Sequence, residues 1–234
     1  MTKQVRLLSG GAAQGLVDAL QERFGAEHGC RVEGTFGAVG AMKDKLLAGE
    51  PCDLVILTEA LIADLAAQSH VVAASATALG TVKTGVALKS GEPVPDIASA
   101  DALKAVLLSS PGIYFPDPAK ATAGIHFMKV LKALGLDERL AGRLRTFPNG
   151  ATAMRALAAA KEDGVVGCTQ VTEILYTQGV QLVALLPRQF ELATVYTAAV
   201  CAHAAEPQLA AALISLLAGE LARPLREAGG FEAL

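Results

Sequence analysis

The sequence has few aromatic residues and few charged residues of either sign. Aromatic side chains make up 4% of the 234 residues and charged side chains 18%, and 20 basic against 23 acidic residues give a formal net charge of −3. No run of lysine or arginine stands out. Nucleic-acid binding needs positive charge against phosphate and often aromatic stacking, so we expect no nucleic-acid partner. The hydrophobic fraction of 52% predicts a globular chain with a large core.

Sequence patterns for metals, nucleotides and membranes are also missing. The four cysteines, Cys30, Cys52, Cys168 and Cys201, form no CxxC pair, and no Cys/His cluster has zinc spacing. Neither a Walker sequence nor GxGxxG occurs, and no apolar stretch is long enough to span a bilayer. We therefore predict no metal, no cofactor and no insertion into a membrane.

The N-terminal residues lead directly into the first predicted strand. They show no charged leader followed by a hydrophobic stretch and a small-residue cleavage site. Isolated cysteines in apolar surroundings fit a reducing compartment, although only weakly. The expected location is therefore cytoplasmic, or periplasmic if a leader was removed, and an exported chain would have a membrane transporter as its partner.

Apolar strand-like runs alternate with helical stretches along the chain. The predicted strands Val5–Leu8, Arg31–Phe36 and Asp53–Leu57 are each followed by a helical pattern, the first of which ends near Phe24. Three successive β-α units imply a parallel sheet covered by helices. Two long extended segments, Leu79–Lys89 and Ala193–Val200, predict crossings between two α/β halves. The predicted first lobe comprises residues 1–80 and 196–234, and the second comprises residues 81–195.

Turns with small side chains lead from predicted strands into helix N-termini at three places, near Gly10, Ala38 and Ala123. The first turn of a helix has free N–H groups and a partial positive charge, so it attracts anions, although ordinary strand-to-helix turns share the pattern. Ligands of open α/β sheets also lie beyond the carboxyl ends of strands, where further polar residues are expected. The candidate ligand-binding residues are Ser9, Gly10, Gly11, Ala12, Gly37, Ala38, Val39, Thr58, Lys120, Thr122, Ala123, Thr169 and Gln170.

The order of several segments resembles the molybdate-binding periplasmic proteins, and the similarity covers nearly the whole chain. No single segment is highly specific, but their order and spacing together are. The resemblance implies an α/β, two-lobed type II periplasmic-binding-protein fold with two crossover strands, a ligand cleft between the lobes and hinge closure around the ligand. The segments are Leu8–Ala12, Thr35–Gly40, Leu46–Leu54, Asp117–Ile125, Gly164–Ile174 and Thr194–Ala199.

The sequence departs from that family at two positions. The resemblance implies a serine at the first and at the second helix N-terminus, where hydroxyl groups donate to the oxyanion. Here Ala12 and the Val39-Gly40 pair stand at the matching positions, and the family's return-strand tyrosine falls at Val195 or Tyr196. Each lost hydrogen bond to a charged group costs about 1.5–3 kcal/mol. We therefore predict a carboxylate or other small anion, larger and partly organic, rather than molybdate or tungstate.

Two functions remain open at this stage. The first is a binding protein that holds a small anion for transport or sensing. The second is an isomerase, because the resemblance extends to aconitate-isomerase-like relatives that move a double bond within a tricarboxylate. In that case Lys83, His126 and Tyr196 are the candidate groups for proton transfer. Their alternative roles are a solvated strand charge, a packed or solvated histidine and a packed aromatic ring.

Overall fold

Nine strands and nine α-helices form in residues 3–234, the part of the chain that the computed structural model describes. Met1 and Thr2, which the predicted first lobe includes, lie outside the described residues. The strands are β1 (Lys3–Gly10), β2 (Cys30–Gly37), β3 (Leu54–Thr58), β4 (Thr77–Lys89), β5 (Ile113–Pro116), β6 (Leu144–Phe147), β7 (Val166–Gln170), β8 (Val180–Leu185) and β9 (Ala193–Val200). The helices are α1 (Gln14–His28), α2 (Val39–Leu47), α3 (Glu59–Ala67), α4 (Ala100–Ser109), α5 (Thr122–Ala133), α6 (Gly150–Ala158), α7 (Val171–Tyr176), α8 (Pro207–Ala218) and α9 (Arg223–Ala228).

The chain folds into two compact α/β units. Unit 1 contains Met1–Val82 and Thr194–Leu234, and unit 2 contains Lys83–Ala193. The chain leaves unit 1 within β4 and returns to it at the start of β9. Unit 1 is therefore built from two separate stretches of sequence, whereas unit 2 is continuous.

The sheet of unit 1 has the strand order β2-β1-β3-β9. β1 runs parallel to β2 and β3, and β9 runs antiparallel to β3. The apolar run 54–57 of β3 is fully buried, as is typical of a parallel strand covered on both faces. Side chains of α1, α3 and α8, such as Phe24, Leu65 and Leu213, complete the core of this unit.

The sheet of unit 2 has the strand order β8-β4-β7-β5-β6. β4 runs antiparallel to β7 and β8, and β5 runs parallel to β6 and β7. Phe115 of β5 and Phe127 of α5 are fully buried and pack edge to face, with ring centroids 5.3 Å apart. This pairing joins α5 to the centre of the sheet.

Local sequence determines where several helices begin and end. Gly29 adopts a left-handed conformation, with φ of 62°, and ends α1 at His28, so this helix runs past its predicted end at Phe24. Ser99 starts α4, because its Oγ accepts a hydrogen bond from the backbone N–H of Ala102 at 3.1 Å.

Candidate anion-binding site

The carboxyl ends of β1, β2 and β3 lie along one edge of the unit 1 sheet. In the parallel β1–β2 pair, Gly10 is the partner of Gly37, and both end their strands. In the antiparallel β3–β9 pair, Thr58 at the end of β3 is the partner of Tyr196. The first two predicted anion-binding turns therefore share this edge with Thr58 and Tyr196.

Gly10 leaves no room for a side chain. A Cβ atom at this position would lie 2.7 Å from Val39 Cγ1 and 3.1 Å from Tyr196 Cε1. Both side chains are themselves buried. The glycine thus lets the start of α2 and the ring of Tyr196 pack against the end of β1.

The helix starts at this edge differ in how their first N–H groups are used. A short 3-10 helix, Gly11–Ala13, leads into α1, and its N-cap Gly10 forms no side-chain cap hydrogen bond. Ala38, the N-cap of α2, forms none either. By contrast, Thr58 Oγ1 accepts a hydrogen bond from Leu61 N at 3.4 Å and caps α3. No side-chain cap occupies the first N–H groups of the other two starts, and such first-turn groups have no partner within their helix.

The side chains at this edge offer few hydroxyl groups. The hydroxyl of the buried Ser9 donates to the carbonyl oxygen of Gly10 at 2.8 Å. Ala12 and Val39, at the positions where the resemblance implies serines, are buried apolar residues. Thr197 on β9 has a buried hydroxyl that meets no hydrogen-bond partner within the described chain. Side-chain hydroxyl donors are therefore scarce at this edge, and the first-turn backbone N–H groups are the main candidate donors.

In unit 2, α5 begins shortly after the end of β5. Its N-cap, Ala121, forms no side-chain cap hydrogen bond. Asp117 Oδ1 accepts a hydrogen bond from the backbone N–H of Lys120 at 3.1 Å and so shapes the turn before the helix. The side chain of Lys120 is exposed, Thr122 is half-buried, and Ala123 is buried. These three candidate ligand residues thus lie on one uncapped helix start.

Gly124 sets how closely α5 packs on β5. A Cβ atom at this position would collide with the carbonyl oxygens of Pro116 and Asp117. The helix start therefore lies directly against the carboxyl end of the strand.

The start of α6 is occupied by the protein itself. Asn149 is the N-cap of this helix, and its Oδ1 accepts a hydrogen bond from Thr152 N at 2.8 Å. The carboxylate of Glu173 accepts hydrogen bonds from the backbone N–H groups of Gly150 and Ala151. A Cβ atom on Gly150 would collide with that carboxylate. The first-turn N–H groups of α6 are thus already hydrogen-bonded by a side chain of the protein, whereas no side chain caps α5.

Glu173 is a functional candidate that the sequence interpretation missed. Burial raises the pKa of its carboxyl group, and hydrogen bonds from the Thr169 hydroxyl, at 2.5 Å, and from backbone N–H groups offset part of that rise. Thr169, a predicted ligand residue, therefore donates to Glu173, and Gln170 is buried beside it at the end of β7. Thr169 ends up on β7 and Glu173 on α7, so no helical spacing in the sequence marks this pair.

The three candidate proton-transfer groups lie in different surroundings. Lys83 Nζ lies 3.4 Å from Glu191 Oε2 in unit 2. His126 on α5 donates from Nε2 to the carbonyl oxygen of Phe190 at 2.7 Å, because a carbonyl oxygen can only accept. Tyr196 lies in unit 1, and its ring is buried. Their catalytic roles stay predictions.

Within residues 3–234, no group of three or more histidine, cysteine, aspartate or glutamate side chains is placed to hold a metal ion. Over the same range, no single helix is long and apolar enough to cross a membrane. Pro207–Ala218 and Glu220–Ala228 reach that length and hydropathy only when joined across a 50° bend.

The sequence matches the family described as bacterial extracellular solute-binding protein over residues 5–232. The chain belongs to this family. An aconitate isomerase from Pseudomonas sp is 27% identical to the solute-binding protein described here over 191 residues, which cover 81% of this chain and 71% of the relative. The expected resemblance to molybdate-binding-like substrate-binding proteins, with aconitate-isomerase relatives, is confirmed.

Solved structures share the fold of this solute-binding protein. The periplasmic molybdate-binding protein of Azotobacter vinelandii superposes with a TM-score of 0.81 at 19% identity, covering 98% of this chain and 99% of its own. The sulfate-binding protein SubI from Mycobacterium tuberculosis H37Rv superposes with a TM-score of 0.76 at 17% identity. The superposition covers 99% of this chain and 87% of SubI. The likeness confirms the predicted α/β type II periplasmic-binding-protein fold.

Proposed function

We propose that this solute-binding protein binds a small carboxylate-bearing anion through backbone N–H groups at helix starts. The main support is the edge of unit 1, where two uncapped helix starts, at Gly11 and Val39, follow β1 and β2. The start of α5 in unit 2 is also uncapped. Such helix starts combine free donors with partial positive charge, which suits an anion. The expected position of the ligand, in a cleft between the lobes, stays a prediction.

The side chains at these helix starts favour an organic anion over molybdate or sulfate. Ala12 and Val39 bring no hydroxyl group, and the Ser9 hydroxyl is engaged by Gly10. A compact oxyanion loses about 1.5–3 kcal/mol for each missing hydrogen bond to its charged oxygens. The carbon skeleton of an organic anion instead packs well on apolar side chains. The aconitate isomerase relative also acts on an organic tricarboxylate, as its name states.

We propose a membrane transporter as the partner of this protein if it is exported. The support is its membership of a family of extracellular solute-binding proteins. The location of the protein, cytoplasmic or periplasmic, stays a prediction.

The second candidate function is isomerisation of an unsaturated di- or tricarboxylate. The observation that favours it is the 27% identity to an aconitate isomerase. The reaction removes an allylic proton at one carbon and returns a proton at the other end of the shifted double bond, so no redox partner is needed. An isomerase exchanges that proton with deuterated water, and Lys83→Ala would abolish the exchange without unfolding the chain. A binding protein shows no exchange with either aconitate isomer.

Thermal unfolding with four separate anions tests the binding proposal. We expect cis-aconitate or trans-aconitate to raise the melting temperature, and molybdate and sulfate to leave it unchanged. A ligand at a hundred times its Kd stabilises the folded chain by about 2.7 kcal/mol. Stabilisation by molybdate alone would contradict the organic-anion assignment, and no stabilisation by any of the four would contradict small-anion binding.

A pair of proline variants tests whether the backbone binds the anion. Gly40→Pro removes the second N–H of α2, and Ala60→Pro removes the second N–H of α3, which Thr58 already caps. Proline is tolerated in the first turn of a helix, so both variants should fold. We expect at least a tenfold loss of aconitate affinity only in Gly40→Pro. Equal affinity in both variants would exclude recognition by the α2 start.

A further inference from the structure

Two buried hydroxyl groups in unit 2 meet no hydrogen-bond partner within the described chain. They belong to Thr84 and Thr172, whose side chains are 1% and 5% exposed. Buried hydroxyl groups in proteins are nearly always hydrogen-bonded, because an unpaired one loses its interactions with water and gains nothing in return. These two groups therefore need an explanation beyond packing.

The two threonines lie at the same end of the unit 2 sheet. Thr84 on β4 is the direct partner of Gln170, the last residue of β7, so their side chains share one face. Thr172 follows two residues later, in the first turn of α7. Between them, a Cβ atom on Gly85 would lie 3.2 Å from Val171 Cγ2, so β4 and the start of α7 are packed together.

Two neighbouring buried threonines of unit 2, by contrast, have hydrogen-bond partners. The Thr169 hydroxyl donates to Glu173 Oε2 at 2.5 Å, and the Thr177 hydroxyl donates to the carbonyl oxygen of Glu173 at 2.8 Å. Both are also buried, with Thr169 0% and Thr177 7% exposed. In and next to β7 and α7, two threonine hydroxyls thus have partners within the protein. The hydroxyls of Thr172 and Thr84 have none within the described chain.

We propose that Thr84 and Thr172 donate their hydroxyl protons to one carboxylate group of the bound anion. This assignment rests on the proposed function and names residues of the ligand site that the sequence interpretation did not assign. A carboxylate has two oxygens, each able to accept one hydroxyl proton. A site shielded from water strengthens such charge-assisted hydrogen bonds, and entry of the anion requires this end of the unit to open.

Valine substitutions test the assignment, because valine replaces the hydroxyl with a methyl group of similar volume. In the absence of anion, Thr84→Val and Thr172→Val should melt at the wild-type temperature or above it, since no hydrogen bond is lost. Each should bind trans-aconitate at least roughly tenfold more weakly in calorimetry, the effect of one hydrogen bond to a charged group. Thr84→Ser and Thr172→Ser keep the hydroxyl and should retain most of the affinity.

Thr177→Val is the matched control, because it removes a buried hydroxyl that has a partner. It should melt at a lower temperature than wild type and bind trans-aconitate with wild-type affinity. If the two valine variants bind like wild type, the assignment of Thr84 and Thr172 is wrong and the proposed function stands. If both melt as low as Thr177→Val, the hydroxyls are structural, and the assignment is again wrong. If wild type itself binds neither aconitate isomer, the carboxylate function fails, and the assignment fails with it.

Discussion

Replacement of Asp53 should loosen both the beginning and the end of unit 1. This buried carboxylate lies just before β3 and accepts three hydrogen bonds from backbone N–H groups. Its Oδ2 accepts from Arg6 at 2.7 Å, and its Oδ1 accepts from Ala205 at 2.7 Å and Glu206 at 2.9 Å. One side chain therefore ties β1 to the segment that precedes α8.

The size of the effect follows from these contacts. A hydrogen bond to a charged group contributes about 1.5–3 kcal/mol. Asp53→Asn keeps one acceptor oxygen and loses at least the bond to Arg6, so it should cost about 1.5–3 kcal/mol. Asp53→Ala loses all three bonds and should cost about 4–7 kcal/mol, allowing for coupling between them. In a chain of this length, 1 kcal/mol shifts the melting temperature by roughly 2–4 °C.

Circular dichroism melting and hydrogen exchange measure this effect. We expect Asp53→Ala to melt roughly 8–28 °C below wild type, with faster exchange at the amides of Arg6, Ala205 and Glu206. Asp64→Ala is the control, because its carboxylate is 62% exposed and its ion pair with Lys43 has little value. A melting temperature of Asp53→Ala within about 3 °C of wild type would refute the reasoning.

Two further variants test the buried carboxyl and the close packing of unit 2. Burial raises the pKa of Glu173, so the folded chain holds this proton longer than the unfolded chain, and wild-type stability should fall as pH rises from about 4.3 through the raised pKa. We expect the free energy of unfolding of Glu173→Gln, measured in urea, to lack this fall with pH. Identical pH profiles for the variant and wild type would contradict a raised pKa of Glu173. Gly124→Ala should cost roughly 1–3 kcal/mol, because its Cβ meets two carbonyl oxygens, whereas Gly142→Ala, with no atom within 4 Å, should stay within about 0.5 kcal/mol. Equal melting temperatures for the two alanine variants would contradict the tight packing of α5 on β5.

The fold could be predicted well because local patterns determine most of its elements. The buried run 54–57 is continuously apolar, and Ala193–Val200 forms a strand with the predicted bounds. The end of α1 was placed too early, because the apolar spacing stops at Phe24 while the left-handed Gly29 ends the helix. The last turn of α1 has no apolar periodicity. The end of such a helix can be predicted only from the glycine that terminates it.

The local structure of the candidate site could be predicted only where its sequence signal was local. The uncapped helix starts at Gly11 and Val39 were visible as small residues after apolar runs. The packing of Val39 and Tyr196 on Gly10 depends on the register of distant strands, which no local pattern reveals. The same holds for Glu173, whose carboxylate reaches the start of another helix. Whether a buried polar group has a partner is a property of the folded chain alone.

The division of unit 1 between the two ends of the sequence has a consequence for biosynthesis. β9, the antiparallel neighbour of β3, is translated only after residues 83–192. At usual translation speeds this interval lasts roughly ten seconds, during which the apolar strand β3 has an open edge. Nascent or prematurely ended chains should therefore be a preferred substrate for chaperones that cover apolar strand edges, and chains that end before β9 should aggregate.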